Sequence, residues 1–315
     1  MNRRGLATLG LVVAASLSVQ VSAILAHTLF DRLGAAGVSG LRFAFAAVIA
    51  LAIVRPRLRG RSAATWATIV LFGTSMASMN AFLYLALERL PLGIALTLEF
   101  LGPFALAVAG ARRPRAIVFP VVGFVGVVLV VRPSGDLDVG GVALGLVAAA
   151  SLAAYALLAE RVGRATRGFD GLALALVVAA VLMAPFGASA LPAVVGGDVV
   201  ILVGSAVLGI VVAFAADYVA VKISSARTVA VLFSFDPVLA AVLGALVLGQ
   251  SLDHLTVGGI VLVAVAGGVS AALAGVPAAA PLPTRHVARR RRRAWRPRAM
   301  AVNTTADVPR SLTSV

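Results

Sequence analysis

Ten apolar segments, each about long enough to cross a bilayer as a helix, divide the first 275 residues of the chain. Of the 315 residues, 61% are hydrophobic and only 12% are charged, which is more apolar surface than a soluble domain of this size can bury. The sequence therefore predicts an all-α membrane protein with ten transmembrane helices. The segments lie at residues 6–27, 36–54, 65–87, 92–110, 115–132, 139–159, 171–190, 199–221, 226–248 and 255–275.

Basic residues fall very unevenly on the two sides of such a bundle. With a cytoplasmic N-terminus, the outer side has only Arg32, Arg89 and Arg132. The cytoplasmic side then holds the tail arginines together with Arg3, Arg4, Arg55, Arg57, Arg59, Arg61, Arg112, Arg113, Arg115, Arg161, Arg164, Arg167, Lys222 and Arg227. Cytoplasmic loops of membrane proteins carry such an excess, so we expect a multi-pass protein of the inner (plasma) membrane with both termini cytoplasmic. Topology thus accounts for the net charge of +15, and we expect no nucleic-acid partner.

The chain also repeats itself. At an offset of 134 residues the fourth segment can be laid over the ninth, which matches Pro103 with Pro237. Because each half then holds five helices, an odd number, the halves enter the membrane from opposite sides. We expect two inverted five-helix repeats, residues 1–135 and 136–276, an arrangement that builds many secondary transporters.

The fourth segment carries a carboxylate, Glu99, near its middle. An acidic residue at a helix centre costs roughly 2.5 to 3.5 kcal/mol on insertion scales, so it usually faces a protein interior or a wet cavity and has a function. Pro103 removes the hydrogen bond that the carbonyl of Glu99 would accept. Asp236, directly before Pro237, repeats the combination in the ninth segment. We interpret these four residues as a substrate or coupling site; the alternative is a kinked helix with a structural glutamic acid.

Two further charged residues, Arg42 and Asp217, lie within predicted helices. Arg42 has three interpretations: it pairs with a carboxylate, binds the carboxylate of a substrate, or caps packing near the outer end. Asp217 either belongs to the site or extends to the cytoplasmic interface. Other polar side chains that can face the same cavity, although any one of them more often forms a hydrogen bond between helices, are Gln20, Asn80, Tyr84, Tyr155 and Tyr218.

The sequence lacks the residues that several kinds of chemistry require. The chain has no cysteine and three scattered histidines, so we expect no metal and no cofactor. No phosphate-binding GxxxxGK[ST] pattern occurs, which favours coupling to an ion gradient over ATP. A membrane-embedded enzyme is the alternative of another class, but paired histidines and HExxH spacing are missing, so we do not expect an enzyme. A scaffolding protein would not need acidic residues buried beside prolines.

Residues 277–315 differ in composition, being rich in Ala, Pro and Arg with an unbroken basic run at 289–293. We predict a disordered basic cytoplasmic tail. Its arginines either bind anionic lipid head groups or serve only as a topology anchor. A homodimer is compatible with the sequence as a whole.

One stretch resembles a known family. The sequences LPLGIA at 90–95, LEF at 98–100, GP at 102–103 and RRP at 112–114 resemble the fourth-helix signature of the threonine and homoserine exporters. These belong to the EamA-type drug/metabolite transporter superfamily. The resemblance implies a ten-helix inner-membrane carrier that exports a small metabolite, such as threonine or homoserine, by proton antiport. Exporters of aromatic amino acids, nucleosides or drugs are the alternative.

The second half departs from that family. It has SFDP at 234–237 where the family has Ser-x-Glu-Pro, so the carboxylate side chain of Asp236 is shorter. Asp217 falls where those exporters also tend to have an acidic residue. The resemblance therefore implies a central substrate cavity but leaves the exact substrate open.

Overall fold

The computed structural model describes residues 3–90, 92–109, 117–131, 138–233, 236, 239 and 253–273. Pro237, residues 234–235, the basic cluster at 112–115 and the predicted tail at 277–315 lie outside the described residues. Those that are described are helical apart from short connections, and they include no strand. They fall within one compact unit, Met1–Pro277.

The helices follow one another with short connections. A 3₁₀ turn, Leu191–Ala193, follows α8, and a π-helical segment, Val207–Val212, joins α9 to α10 in one continuous rod. Over the described residues the α-helices are α1 (Arg3–His27), α2 (Phe30–Leu33), α3 (Ala35–Val54), α4 (Ala63–Leu87), α5 (Leu92–Ala109), α6 (Val118–Val131), α7 (Val139–Ala165), α8 (Asp170–Ala190), α9 (Gly196–Ala206), α10 (Ala213–Ile223), α11 (Ala226–Leu232) and α12 (His254–Leu273).

Predicted and observed helices agree closely where the chain is described. The short α2 is absent from the prediction, and α7 continues to Ala165, beyond the predicted end at residue 159. In the described part of the chain, six helices are long and apolar enough to cross a membrane, which makes this a multi-pass membrane protein. They are Gly5–His27, Ala35–Val54, Ala63–Leu87, Val139–Ala165, Asp170–Ala193 and Gly196–Ile223.

Helix pairs hold the bundle together. α3 packs on α8, α4 on α7, α6 on α12, and α1 along the rod formed by α9 and α10, while α5 lies against α7 and α11. Two of these contacts depend on glycine: a Cβ at Gly102 would lie 2.0 Å from the carbonyl oxygen of Ala149, and one at Gly40 would lie 2.4 Å from the nitrogen of Gly187. Small residues allow such close backbone approach in membranes.

Ion pairs join the ends of the helices. Arg32 Nη2 lies 2.5 Å from Asp198 Oδ1, and Arg89 and Asp138 approach to 3.9 Å at the same end of the bundle. At the opposite end, Arg61 Nη2 donates to Asp170 Oδ2 at 2.8 Å. Each of these pairs connects a residue before position 135 to one after it, so the two parts of the chain are fastened together at both ends.

Candidate functional site

The π-helical segment Val207–Val212 and the end of α9 lie beside α1, and each is held by one serine of that helix. A π turn inserts a residue into the helical ladder, which changes the partners of the neighbouring carbonyls. Ser18 Oγ donates to the carbonyl of Leu208, and Ser22 Oγ donates to that of Ser205, each at 2.7 Å. Sequence reasoning missed these serines; their spacing of four residues on an apolar helix is the signal that could have found them.

The side chain of Arg42 extends from α3 to Ser22 and Ser205. Its Nη2 donates to Ser22 Oγ at 2.6 Å and to the carbonyl of Ser205 at 3.4 Å, while its Nε is buried without a hydrogen-bond partner. Within the described residues Arg42 forms no ion pair with a carboxylate. A guanidinium has five N–H donors, so Arg42 keeps N–H groups that can donate hydrogen bonds to an anion.

Gly209 brings the backbone of the π-helical segment against this guanidinium. A Cβ at Gly209 would lie 2.2 Å from Ser22 Oγ and 2.3 Å from Arg42 Nη2, far inside the distance that real Cβ atoms show. The position of Arg42 therefore depends on the missing side chain at Gly209.

Asp236 is held by another part of α1, about 1.7 turns before Ser22. Ser16 Oγ donates to Asp236 Oδ1, and Gln20 Nε2 donates to the backbone carbonyl of Asp236 at 3.2 Å. Ser16 and Ser22, the anchors of Asp236 and Arg42, are six residues apart, which is roughly 9 Å along the helix. Gln20, a predicted site residue, thus lies beside Asp236.

Glu99 connects Asp236 to Arg42, through Tyr84. Its carboxyl group is buried on α5 and interacts electrostatically with Asp236 and with the hydroxyl of Tyr84. Tyr84 in turn interacts with Arg42. We call Glu99, Asp236, Arg42 and Tyr84 the charged cluster. α5 runs through the buried Pro103 without ending there.

Asp217 lies in the interior instead of reaching the interface. Its side chain is 8% exposed and faces Tyr155, which is 1% exposed. The Tyr155 ring packs on Phe72 at 5.5 Å between centroids and on Phe214 at 5.4 Å. The Tyr155 hydroxyl and Asp217 Oδ1 interact electrostatically, but neither has a hydrogen-bond partner of good geometry.

Two of the predicted residues, Tyr218 and Asn80, form hydrogen bonds outside the charged cluster. The Tyr218 hydroxyl is 3.1 Å from Thr166 Oγ1, and Lys222 Nζ lies 5.2 Å from the centre of its ring. Asn80 Nδ2 donates to the carbonyl of Met76 on its own helix at 3.1 Å. The contact of Tyr218 joins α10 to the end of α7, the kind of hydrogen bond that the sequence leaves open as an alternative, whereas that of Asn80 stays within α4.

A groove of about 460 Å³ lies between α4 and α7, separate from the charged cluster. Its lining is mostly apolar, with hydroxyls from Thr74, Ser75, Ser78 and Ser151 and no charged side chain. It therefore lacks the groups that would recognise a charged metabolite. No set of three metal-binding side chains occurs in the described part of the chain.

The structure thus defines a helical multi-pass membrane protein with ionisable groups buried between its helices, a combination typical of transporters. Residues 139–270 match the EamA-like transporter family. The chain is 34% identical over 258 residues to the threonine/homoserine exporter RhtA of Salmonella typhimurium, covering 78% of this chain and 85% of that protein. It is 34% identical over 251 residues to the protein of the same name from Escherichia coli K12, covering 78% and 84%.

The fold is also similar to a crystal structure with a TM-score of 0.69 and 19% sequence identity, covering 86% of this chain and 97% of that one. The protein belongs to the EamA-like transporter family. The resemblance inferred from residues 90–114 is confirmed.

Proposed function

We propose that this protein is a secondary active transporter that exports a small zwitterionic metabolite, an amino acid such as threonine or homoserine, in exchange for protons. Relatives of 34% identity are named threonine/homoserine exporters. The observation that carries the proposal is the charged cluster, because it holds a guanidinium without a carboxylate partner among the described residues and two carboxyl groups nearby.

A zwitterion matches the spacing of these groups. Arg42 would bind the substrate carboxylate, and Asp236 with Glu99 would bind the ammonium group. The α1 anchors of Arg42 and Asp236 are roughly 9 Å apart, a distance that a small molecule hydrogen-bonded at both ends can bridge. A neutral drug or nucleoside would leave these charges without partners, so the charged cluster favours an amino acid.

Water and substrate would reach the charged cluster through a cavity between the helices. Arg42, Tyr84 and Asp236 lie deep in the bundle and Gln20 donates to the carbonyl of Asp236, yet each of the four keeps part of its surface accessible. Polar surface at this depth is unfavourable against lipid and is tolerated against a wet cavity. The partial exposure of four polar side chains on different segments therefore supports a shared cavity.

The proposed architecture is ten transmembrane helices in two inverted repeats, residues 1–135 and 136–276. Helix packing supports this architecture, because the helix contacts between the two halves of the chain occur in equivalent pairs. α1 packs on the α9–α10 rod as α7 packs on α4, and α5 touches α7 as α11 touches α1. The pairs α3 with α8, α5 with α11, and α6 with α12 join equivalent helices.

The protein is placed in the inner (plasma) membrane with both termini cytoplasmic, on the arginine distribution. The tail at 277–315 would bind anionic lipid head groups, and a homodimer is compatible with the fold. Within this orientation the Arg61–Asp170 pair lies at the cytoplasmic end and the Arg32–Asp198 pair at the outer end.

Single cysteines test the orientation directly, since the native chain has none. In intact cells, Val195→Cys, at an exposed position between α8 and α9, should react with an impermeant maleimide. Arg57→Cys, in the loop between α3 and α4, should react only after the cells are permeabilised. The reverse labelling pattern would show that the orientation is inverted.

Transport by the purified protein in liposomes tests the proposed function. We expect a pH gradient to drive saturable movement of labelled threonine, with competition from homoserine. Threoninol, which lacks the carboxylate, and N-acetylthreonine, which lacks the ammonium group, should compete about tenfold or more weakly, because each leaves a buried charge unpaired. If the gradient drives no threonine or homoserine movement but drives aromatic amino acids or nucleosides, the alternative substrate class is correct.

A further inference from the structure

Asp217 and Tyr155 form a buried polar pair that the proposed substrate site does not use. Both side chains are more than nine-tenths buried, and Asp217 Oδ1 and the Tyr155 hydroxyl each lack a hydrogen-bond partner of good geometry. The two groups can share a proton in either state of Asp217: the Tyr155 hydroxyl can donate to an ionised carboxylate, and a protonated carboxyl group can donate to the hydroxyl. The pair therefore has the composition of a site for one exchangeable proton.

The surroundings keep this pair separate from bulk water. Phe72 and Phe214 pack on the Tyr155 ring, and the hydrophobic core that contains them includes Val12 of α1. Aromatic packing fixes the ring, so the hydroxyl keeps one direction. The pair is thus preorganised, and a proton that reaches it has few other acceptors.

Few ionisable groups face Asp217 from the helices packed on α10. Tyr155 faces it from α7, and Asp236, which follows α11, interacts with it electrostatically. The ionisable residues of α1 lie at its two ends, at Arg3, Arg4 and His27, the π-helical segment has none, and α11 has Arg227 in its first turn. Lys222, further along α10, donates to the carbonyl of Gly168 at 3.2 Å and is directed away. Asp236 is therefore the acidic neighbour with which Asp217 can exchange a proton.

Asp236 links the three carboxyl groups in a series, because it interacts electrostatically with both Glu99 and Asp217. Asp217 lies six residues before the end of α10 at Ile223, roughly 9 Å from that end. In the proposed orientation this is the cytoplasmic end, so Asp217 is the carboxyl group of the series nearest the cytoplasm.

We propose that Asp217 and Tyr155 form the cytoplasmic proton-exchange site of the transporter, distinct from the substrate site. When the substrate ammonium binds from the cytoplasm, Asp236 loses its proton and becomes the carboxylate that holds the ammonium. Asp217 first releases its own proton to cytoplasmic water in the inward-open state that alternating access requires, and its carboxylate then takes the proton from Asp236, so one O–H bond breaks as the other forms. The assignment rests on the proposed proton antiport and adds the route by which the proton leaves.

Asp217→Asn separates proton movement from substrate binding. In liposomes, exchange of labelled for unlabelled threonine needs no net proton movement, so the variant should keep it near the wild-type rate. Transport driven by a pH gradient, and the proton release that a pH-sensitive dye detects, should fall about tenfold or more. Asp217→Glu, which keeps a carboxyl group, should restore part of both.

Tyr155→Phe is the second variant, and it remains informative if Asp217→Asn does not fold. It removes only the hydroxyl and keeps the ring packing, so we expect normal exchange and a displaced pH profile of gradient-driven transport. Unchanged gradient-driven transport and pH profile in the folded variants would overturn the proposal. Loss of exchange together with coupling, at normal thermal stability, would also overturn it, by placing Asp217 in the substrate site. Wild-type protein that transports threonine without proton movement would instead refute the antiport itself.

Discussion

Glu99→Gln is expected to remain in the membrane at the wild-type level and to lose threonine transport driven by a pH gradient. Glutamine keeps the shape and hydrogen-bonding capacity of Glu99 but can neither ionise nor release a proton. A hydrogen bond to a charged group contributes about 1.5 to 3 kcal/mol, so both exchange and gradient-driven transport should fall by about tenfold to a hundredfold. The measurement is threonine movement in inverted vesicles with and without an imposed gradient.

Glu88→Gln provides the matched control, because Glu88 lies exposed at the end of α4 and undergoes the same chemical change. It should transport at the wild-type rate. Asp236→Asn should resemble Glu99→Gln or show an altered substrate range, since asparagine can still accept the hydrogen bond from Ser16. Wild-type gradient-driven transport in Glu99→Gln would make Glu99 structural and move the coupling role to Asp236 or Asp217.

The helices could be predicted from the sequence because the membrane restricts the choice. A segment that crosses a bilayer must satisfy its backbone hydrogen bonds internally, so an apolar run of sufficient length is a helix. The prediction ended α7 too early because it followed hydropathy alone. Past residue 159 the helix is continued by polar residues, including Glu160 and Arg164, which form an ion pair four residues apart on one face.

The fine structure of the candidate site could not be predicted. The π-helical segment at 207–212 has no proline or polar residue that marks it, and it is held by Ser18 of a distant helix, while Ser22 of that helix holds the adjoining end of α9. Asp217 illustrates the same limit. Its distance from Lys222 along the chain allows it to reach the interface, and only the packing of Tyr155 and Phe214 shows that it is buried. In both cases the structure is determined by contacts between segments that are distant in the sequence.

The two proposed repeats differ where the charged cluster lies. At the offset of 134 residues, Asp236 corresponds to Gly102, and the two positions face equivalent helices. Gly102 packs directly on the backbone of α7 at Ala149, whereas the side chain of Asp236 reaches Ser16 of α1. One position thus brings two helices together and the other places a carboxyl group between them. This asymmetry supports a substrate site built from both repeats without being symmetric.

Gly209→Ala is expected to displace the Arg42 guanidinium. The added methyl group would overlap Ser22 Oγ and Arg42 Nη2, so the hydrogen bond between them, at 2.6 Å in the native protein, must break or shift. Overpacking of this kind typically costs about 1 to 3 kcal/mol. If Arg42 binds the substrate carboxylate, the KM for threonine should rise by about tenfold or more, since a charged hydrogen bond is weakened. Arg42→Gln should raise the KM similarly without the steric overlap.

Gly204→Ala, on the same rod, is the matched control. No atom outside its own helix lies within 4 Å of a Cβ at Gly204, and alanine favours a helix by up to about 1 kcal/mol over glycine. It should therefore keep the wild-type KM and melt at the same or a higher temperature. Melting curves for all variants separate a loss of fold from a loss of binding. A folded Gly209→Ala protein with the wild-type KM for threonine would show that the position of Arg42 does not matter for the substrate, and the carboxylate would have to bind elsewhere.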